Sequence, residues 1–124
     1  NANPVSVKAA LDLLSMTNNS DKNTRKVAIL GDMFELGAEE EALHREVGVY
    51  AAQKGLDVVI CVGKLCKNMF DGAQSVSCVY TTCYYFVDKE ALFFEIGKIL
   101  QNGDLVLVKA SHGMHFEEII KQLS

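Results

Sequence analysis

Three stretches of the chain are apolar without interruption: Lys26–Leu30, Asp57–Val62 and Asp104–Val108. Short runs that do not alternate with polar residues predict strands covered on both faces, as in a parallel sheet. A weaker strand is expected near Val76–Tyr80. Around these runs the apolar positions recur every three or four residues, which predicts helices. The first spans Pro4 to about Met16, with Asn3 as N-cap and Pro4 at the first helical position. Its Val7, Ala10, Leu11 and Leu14 share one face. Glu39–Lys54 carries acids at its start and Lys54 at its end, matching the helix dipole, and Gly55 supplies a left-handed stop. A short helix is expected from Lys64 to about Phe70. Asp88 caps a run with Leu92, Ile96 and Leu100 on one stripe, and Phe116, Ile119, Ile120 and Leu123 stripe the last helix. Asn18–Thr24 is polar and reads as a surface loop. The order is one helix and then four strand–helix units. Parallel strands need crossover connections, which are right-handed. The expected architecture is a single three-layer α/β/α Rossmann-like sandwich over residues 1–124 with a mostly parallel sheet.

Composition adds exclusions. The 124 residues hold 12 Lys and Arg against 16 Asp and Glu, a net charge of −4. That mild acidity excludes an electrostatic nucleic-acid binder. No apolar run approaches the roughly 20 residues that span a bilayer, so no membrane insertion is expected. The opening residues carry no secretory signal. Cys61, Cys66, Cys78 and Cys83 form C-x4-C twice, wider than a zinc knuckle, and Cys61 lies inside an apolar run. Reduced, buried thiols are expected, which fits a cytoplasmic protein. His112 and His115 have helical spacing without a third ligand, so no metal is expected.

Ligands of an open parallel sheet gather beyond the carboxyl ends of its strands. Here those exits read Gly31-Asp32-Met33-Phe34-Glu35-Leu36-Gly37, Gly63-Lys64 and Lys109-Ala110-Ser111-His112-Gly113. Carboxylates, an ammonium and a hydroxyl therefore converge on one edge. Lys109 follows a buried strand and must emerge at that edge, which favours a functional role. The others have structural alternatives. Asp32 also suits a turn cap, Glu35 a solvated loop acid and Ser111 the N-cap of the last helix. His44, beside Leu43 and Val47, reads as a packed or surface histidine. Neither G-x-x-x-x-G-K-S/T nor G-x-G-x-x-G occurs, so this domain is not expected to hold a nucleoside triphosphate alone.

Four segments resemble the Mur ligase family. Asn1-Ala2-Asn3-Pro4 with Ser6 is similar to its Y-N-A-N-P-x-S, and Leu30–Gly37 to L-G-D-M-x-E-L-G. His44–Gly48 is similar to H-x-x-V-G, and Val108–Met114 to V-K-G-S-R-x-M. The resemblance covers nearly the whole chain in order. It implies the C-terminal domain of a three-domain enzyme whose central domain carries the phosphate loop, and a full sheet with one strand more than this chain supplies. The implied enzyme uses ATP and Mg2+ to phosphorylate the terminal carboxylate of UDP-N-acetylmuramoyl-tripeptide. The amine of D-alanyl-D-alanine then attacks the acyl phosphate, in peptidoglycan precursor synthesis. The resemblance implies Lys109 and Asp32 as catalytic residues, with Glu35, Ser111 and His112 binding substrate. Lys109 and Ser111 would hold the dipeptide carboxylate or developing charge. Asp32 and Glu35 would orient the incoming ammonium, and Asn1 and Asn3 would face the nucleotide. The domain alone is expected to be inactive and to carry no cofactor. Two positions depart from the pattern: Ala110 replaces a glycine and His112 an arginine. Histidine lacks the bidentate fork, so anion binding here is expected to be weaker or pH-dependent. Two other classes stay open on the residues alone. A receiver-like phosphoacceptor fits Asp32 and Lys109 loosely but lacks an acceptor Asp at Val62-Gly63-Lys64. An interaction module would show a large exposed apolar patch.

Overall fold

Helices and strands alternate along the chain in the computed structural model, which describes residues 2–17, 24–76 and 80–123. Helix α1 (Pro4–Met16) begins with a reciprocal cap. The Asn3 side chain accepts the Ser6 N–H at 2.9 Å, and Ser6 Oγ accepts the Asn3 N–H at 3.0 Å. Strands β1 (Lys26–Gly31), β2 (Val58–Val62), β3 (Thr82–Phe86) and β4 (Leu105–Lys109) alternate with α2 (Glu40–Ala52), α3 (Cys66–Ser75), α4 (Lys89–Ile99) and α5 (Glu117–Leu123). Short 3-10 turns at Gly37–Glu39 and His112–Met114 lead into α2 and α5.

The four strands are parallel, in the order β3-β2-β1-β4. From β1 through β3 the chain steps in one direction across the sheet. From β3 to β4 it steps back past β2 and β1. Right-handed crossovers in opposite directions place their helices on opposite faces. On one face Val7, Leu11, Val47, Ala51 and Met69 pack on Ala28, Leu30, Val59 and Cys61. On the other Leu92, Ile96 and Ile119 pack on Val27, Ile29, Val58 and Ile60. Successive residues of β1 and β2 thus enter different cores, and none of Val27–Gly31 or Val58–Val62 is exposed, which is why their sequence does not alternate. The expected three-layer α/β/α sandwich is observed.

Three expectations need correction. The weak strand forms at Thr82–Phe86, not near Val76–Tyr80, where Val76 caps α3 and residues 77–79 lie outside the described residues. The aromatic run Tyr84-Tyr85-Phe86 has the strand preference, and it pairs with Ile60-Cys61-Val62. Helix α3 starts later than Lys64 and continues past Phe70 to Ser75. Its Gly72 lets it lie backbone-close to α2, since a Cβ there would sit 2.2 Å from the Arg45 carbonyl oxygen. In α5 only the Phe116–Ile119 side of the stripe is buried, while Ile120 is 54% and Leu123 40% exposed. The polar stretch 18–23 lies outside the described residues.

Candidate functional site

Strands β1 and β4 are hydrogen-bonded neighbours, with Leu30 opposite Lys109. The chain leaves β1 toward α2 on one face and β4 toward α5 on the other. Loops diverging from adjacent parallel strands leave a crevice at this switch point. Two shallow depressions lie there. One, of about 170 Å³, is lined by Phe34, Glu35, Ser111, His112 and Gly113. The other, of about 180 Å³, is lined by Lys109, Ser111, His112, Phe116 and Glu117 among others. Ser111 and His112 border both. The structure therefore brings Lys109, Glu35, Ser111 and His112 to one edge.

Strand alternation puts Lys109 on the same face as Leu105 and Leu107, at the carboxyl end of β4. It is half-buried and makes no ion pair among the described residues. Glu35 is exposed and takes a left-handed backbone, φ 61°, uncommon for a residue other than glycine. His112 is exposed, and its ring lies 6.4 Å from that of His115. Glu117 beside them is held below the usual carboxyl range, first by its own backbone amide and then by the His115 ring.

Ser111 is 4% exposed and makes no side-chain cap for the turn that follows. Its Oγ instead accepts the Phe34 N–H at 2.8 Å, and its own N–H donates to the Asp32 carbonyl at 3.1 Å. Asp32, 6% exposed, turns its carboxylate into the fold. There Oδ1 accepts the Cys66 N–H at 2.9 Å, at the start of α3. Leu65, the N-cap residue of that helix, has no acceptor side chain, so Asp32 supplies one from another strand. Gly63, at φ 126°, makes room for it, since a Cβ there would meet the carboxylate at 2.4 Å. Asn3 is exposed at the α1 N-terminus, with its side-chain oxygen committed to the cap. Lys26 Nζ, at the start of β1, donates to the Ser15 carbonyl near the end of α1 at 2.8 Å, which places Asn3, at the other end of that helix, toward the carboxyl edge of the sheet. Asn1 lies outside the described residues.

His44 on α2 is a packed histidine that the sequence reading did not connect to the site. It is fully buried, Nε2 lies 2.9 Å from the Met33 N–H, and Nδ1 lies 2.6 Å from the Glu40 carbonyl oxygen. Asp32, His44 and Cys66 place possible ligand atoms within 4.8 Å of one another. Yet the Met33 N–H occupies the one lone pair of the ring and the carbonyl takes its proton, so His44 has nothing left for a cation. Burial pushes the Cys61 and Cys66 thiols well above the usual range, and both are free cysteines. No helix among the described residues is long and apolar enough to cross a membrane.

A family model described as Mur ligase, glutamate ligase domain matches residues 1–112. The chain belongs to the Mur ligase family. UDP-N-acetylmuramoyl-tripeptide–D-alanyl-D-alanine ligase of Bacillus subtilis is 37% identical over 99% of this chain, and that of Escherichia coli 33% over 99%. This chain spans 26% and 25% of those relatives, about a quarter of their length. Among solved structures, a MurF from Acinetobacter baumannii superposes with a TM-score of 0.80 at 29% identity, covering 99% of this chain and 26% of that one. A MurF ligase from Thermotoga maritima solved in complex with ADP shares the fold, at TM-score 0.72 and 22% identity, over 98% of this chain and 26% of that one. Membership of the Mur ligase family sets the receiver reading aside. At two strand exits of this Mur ligase chain the space beside a glycine is filled by a side chain. The space beside Gly31 holds the Phe116 ring, 2.4 Å from where a Cβ would stand, and that beside Gly63 holds Asp32. Both glycines admit the protein's own side chains in place of a bare amide cradle.

Proposed function

We propose that this chain is the C-terminal, dipeptide-side domain of an ATP-dependent ligase that joins D-alanyl-D-alanine to UDP-N-acetylmuramoyl-tripeptide. The overall reaction forms one amide and converts ATP to ADP and phosphate. In this reading ATP and Mg2+ are held by other domains of the polypeptide. The observation that carries the reading is the convergence of the β1 and β4 exit loops at the switch point, in a chain matching such ligases over 99% of its length. Lys109, without an ion pair among the described residues, binds the dipeptide carboxylate. Glu35 faces the ammonium end and favours its delivery beside the reacting carbonyl. Ser111 and His112 form the rim between them. Asp32 acts as a fastener, since its Oδ1 accepts the Cys66 N–H at the start of α3. Asn3 offers its Nδ2 donors at the boundary with the nucleotide-bearing domain. Closing this domain over the site excludes water from a hydrolysable intermediate.

The test is ligation by the full-length polypeptide containing this chain, followed by mass spectrometry of the UDP-linked product. Lys109→Ala is expected to raise the KM for D-alanyl-D-alanine by about tenfold or more, the loss of one charge-assisted contact. Unchanged kcat and KM in Lys109→Ala would reject the assignment.

A further inference from the structure

We infer that His44 and Ser111 are positioning residues that clamp the loop carrying Phe34 and Glu35, one from α2 and the other from the β4 exit, through two consecutive backbone amides. The inference rests on the reading that Glu35 serves the amine substrate.

The amide of Met33 donates to His44 Nε2 at 2.9 Å, and the amide of Phe34 donates to Ser111 Oγ at 2.8 Å. A backbone N–H only donates, so Nε2 must carry the lone pair and Nδ1 the proton. That proton goes to the Glu40 carbonyl, one turn back along α2, at 2.6 Å. The ring is thus fixed by its own helix in the tautomer that accepts from the loop. Ser111 belongs to the β4 exit, and its own N–H donates to the Asp32 carbonyl at 3.1 Å. Residues 32, 33 and 34 therefore each have a backbone group held by α2 or by the β4 exit. The next residue, Glu35, adopts φ 61° and lines the depression with Ser111, His112 and Gly113. A left-handed glutamate persists only where the surrounding structure over-determines it. His44 is fully buried with both nitrogens committed, so it touches no ligand and acts through Met33.

His44→Gln and His44→Ala separate the roles, because glutamine retains an acceptor near the Nε2 position and alanine does not. In the full-length ligase His44→Ala is expected to raise the KM for D-alanyl-D-alanine about tenfold, with the KM values for ATP and the UDP-linked substrate within about twofold of the unsubstituted enzyme. His44→Gln is expected to bring the dipeptide KM back to within about threefold. A purely structural histidine lowers the folded fraction, so kcat falls and no KM changes. That result, or equal dipeptide KM values in the two variants, overturns the inference.

Amide hydrogen exchange on this chain reads the clamp without the reaction. The Met33 amide is expected to exchange about tenfold faster in His44→Ala than in His44→Gln, and the Phe34 amide about tenfold faster in Ser111→Ala than in the unsubstituted chain. If His44→Ala does not fold, His44→Gln decides: a Met33 amide exchanging there as fast as the exposed amides of the same loop overturns the clamp. The expected exchange pattern in an enzyme inactive on the dipeptide rejects the functional reading alone. Equal exchange across all variants in an active enzyme rejects the clamp alone.

Discussion

Replacing Gly48 by alanine sets two effects of known sign against each other. Helices α2 and α3 meet through two glycines. A Cβ on Gly48 would stand 1.8 Å from the Met69 carbonyl oxygen, and one on Gly72 would stand 2.2 Å from that of Arg45. Alanine in a helix interior is favoured over glycine by about 1 kcal/mol. Against that gain, the helices must part by roughly 1.5 Å to restore van der Waals separation. The obstructing atom is a helix carbonyl and cannot rotate aside. Parting the helices also loosens Val47, Ala51, Met69 and Ala73, all buried where α2 and α3 meet the sheet. Overpacking costs about 1–3 kcal/mol where side chains can yield, and more where they cannot. The clash wins, with a net destabilisation of about 2–4 kcal/mol. For a domain of this size that lowers Tm by roughly 8–15 °C. Circular-dichroism melts measure it, with Gly97→Ala as the matched control. Gly97 is exposed within α4 and has no atom within 4 Å of a built Cβ. The same substitution there should raise Tm by about 4 °C. A Gly48→Ala chain melting at or above the unsubstituted temperature would refute the argument.

Gly63→Ala should destabilise by about 2 kcal/mol or more, because its φ of 126° and the Asp32 carboxylate both oppose a Cβ; urea unfolding measures it, and Asp32→Ala in the same background should recover part of the loss. Asp104 is paired with Arg25 through two hydrogen bonds of 3.0 and 2.8 Å, and the Arg25 guanidinium holds its carboxyl below the usual range against the opposing pull of burial. A depressed folded pKa adds stability that is fully present above the unfolded value, about 3.9, and is lost as pH falls through the folded one. Asp104→Asn should therefore cost about 1.5–3 kcal/mol at neutral pH and flatten the fall in urea midpoint below about pH 4. Cys61 and Cys66, buried with raised thiol pKa values, should resist iodoacetamide in the folded chain and react after denaturation; peptide mapping by mass spectrometry that finds either alkylated under native conditions contradicts the burial argument.

The three unbroken apolar runs were legible as strands because residues of β1 and β2 alternate between two dry faces and those of the edge strand β4 are half-buried on both. Helix α1 was legible from its Asn3-Pro4 start and from the shared face of Val7, Ala10, Leu11 and Leu14. The third strand was not. Tyr84-Tyr85-Phe86 carries the strand propensity, yet a run of aromatics reads equally as core or interface until a neighbour is known, and here the neighbour is Ile60-Cys61-Val62. The site was legible as a set of residues and illegible in their division of labour. Asp32 sits where a reactive acid is expected, but the α3 N-terminus lacks a capping side chain of its own and draws on this one. Nothing in local sequence ties Asp32 to Cys66, 34 positions away. Ser111 likewise satisfies Phe34 across 77 positions. His44 carries a weak local trace, being four residues beyond the carbonyl that fixes its tautomer.

These long-range bonds bear on how the site works. The rim is assembled from two loops far apart in sequence, and each holds the other: Ser111 accepts from Phe34 and donates to Asp32. Asp32 in turn fastens the first turn of α3, and His44 fastens Met33 to α2. Glu35 is thereby set by a network that ties the exits of β1 and β4 to two helices, α2 and α3, before any ligand arrives. A preorganised rim loses little conformational freedom on binding, so a substrate as small as a dipeptide keeps most of its contact energy. The same rigidity means that, on the proposed reading, closure carries the rim as one body. Its position relative to the rest of the enzyme changes while its internal spacing does not, which is the property required to deliver an amine to a carbonyl held by another domain.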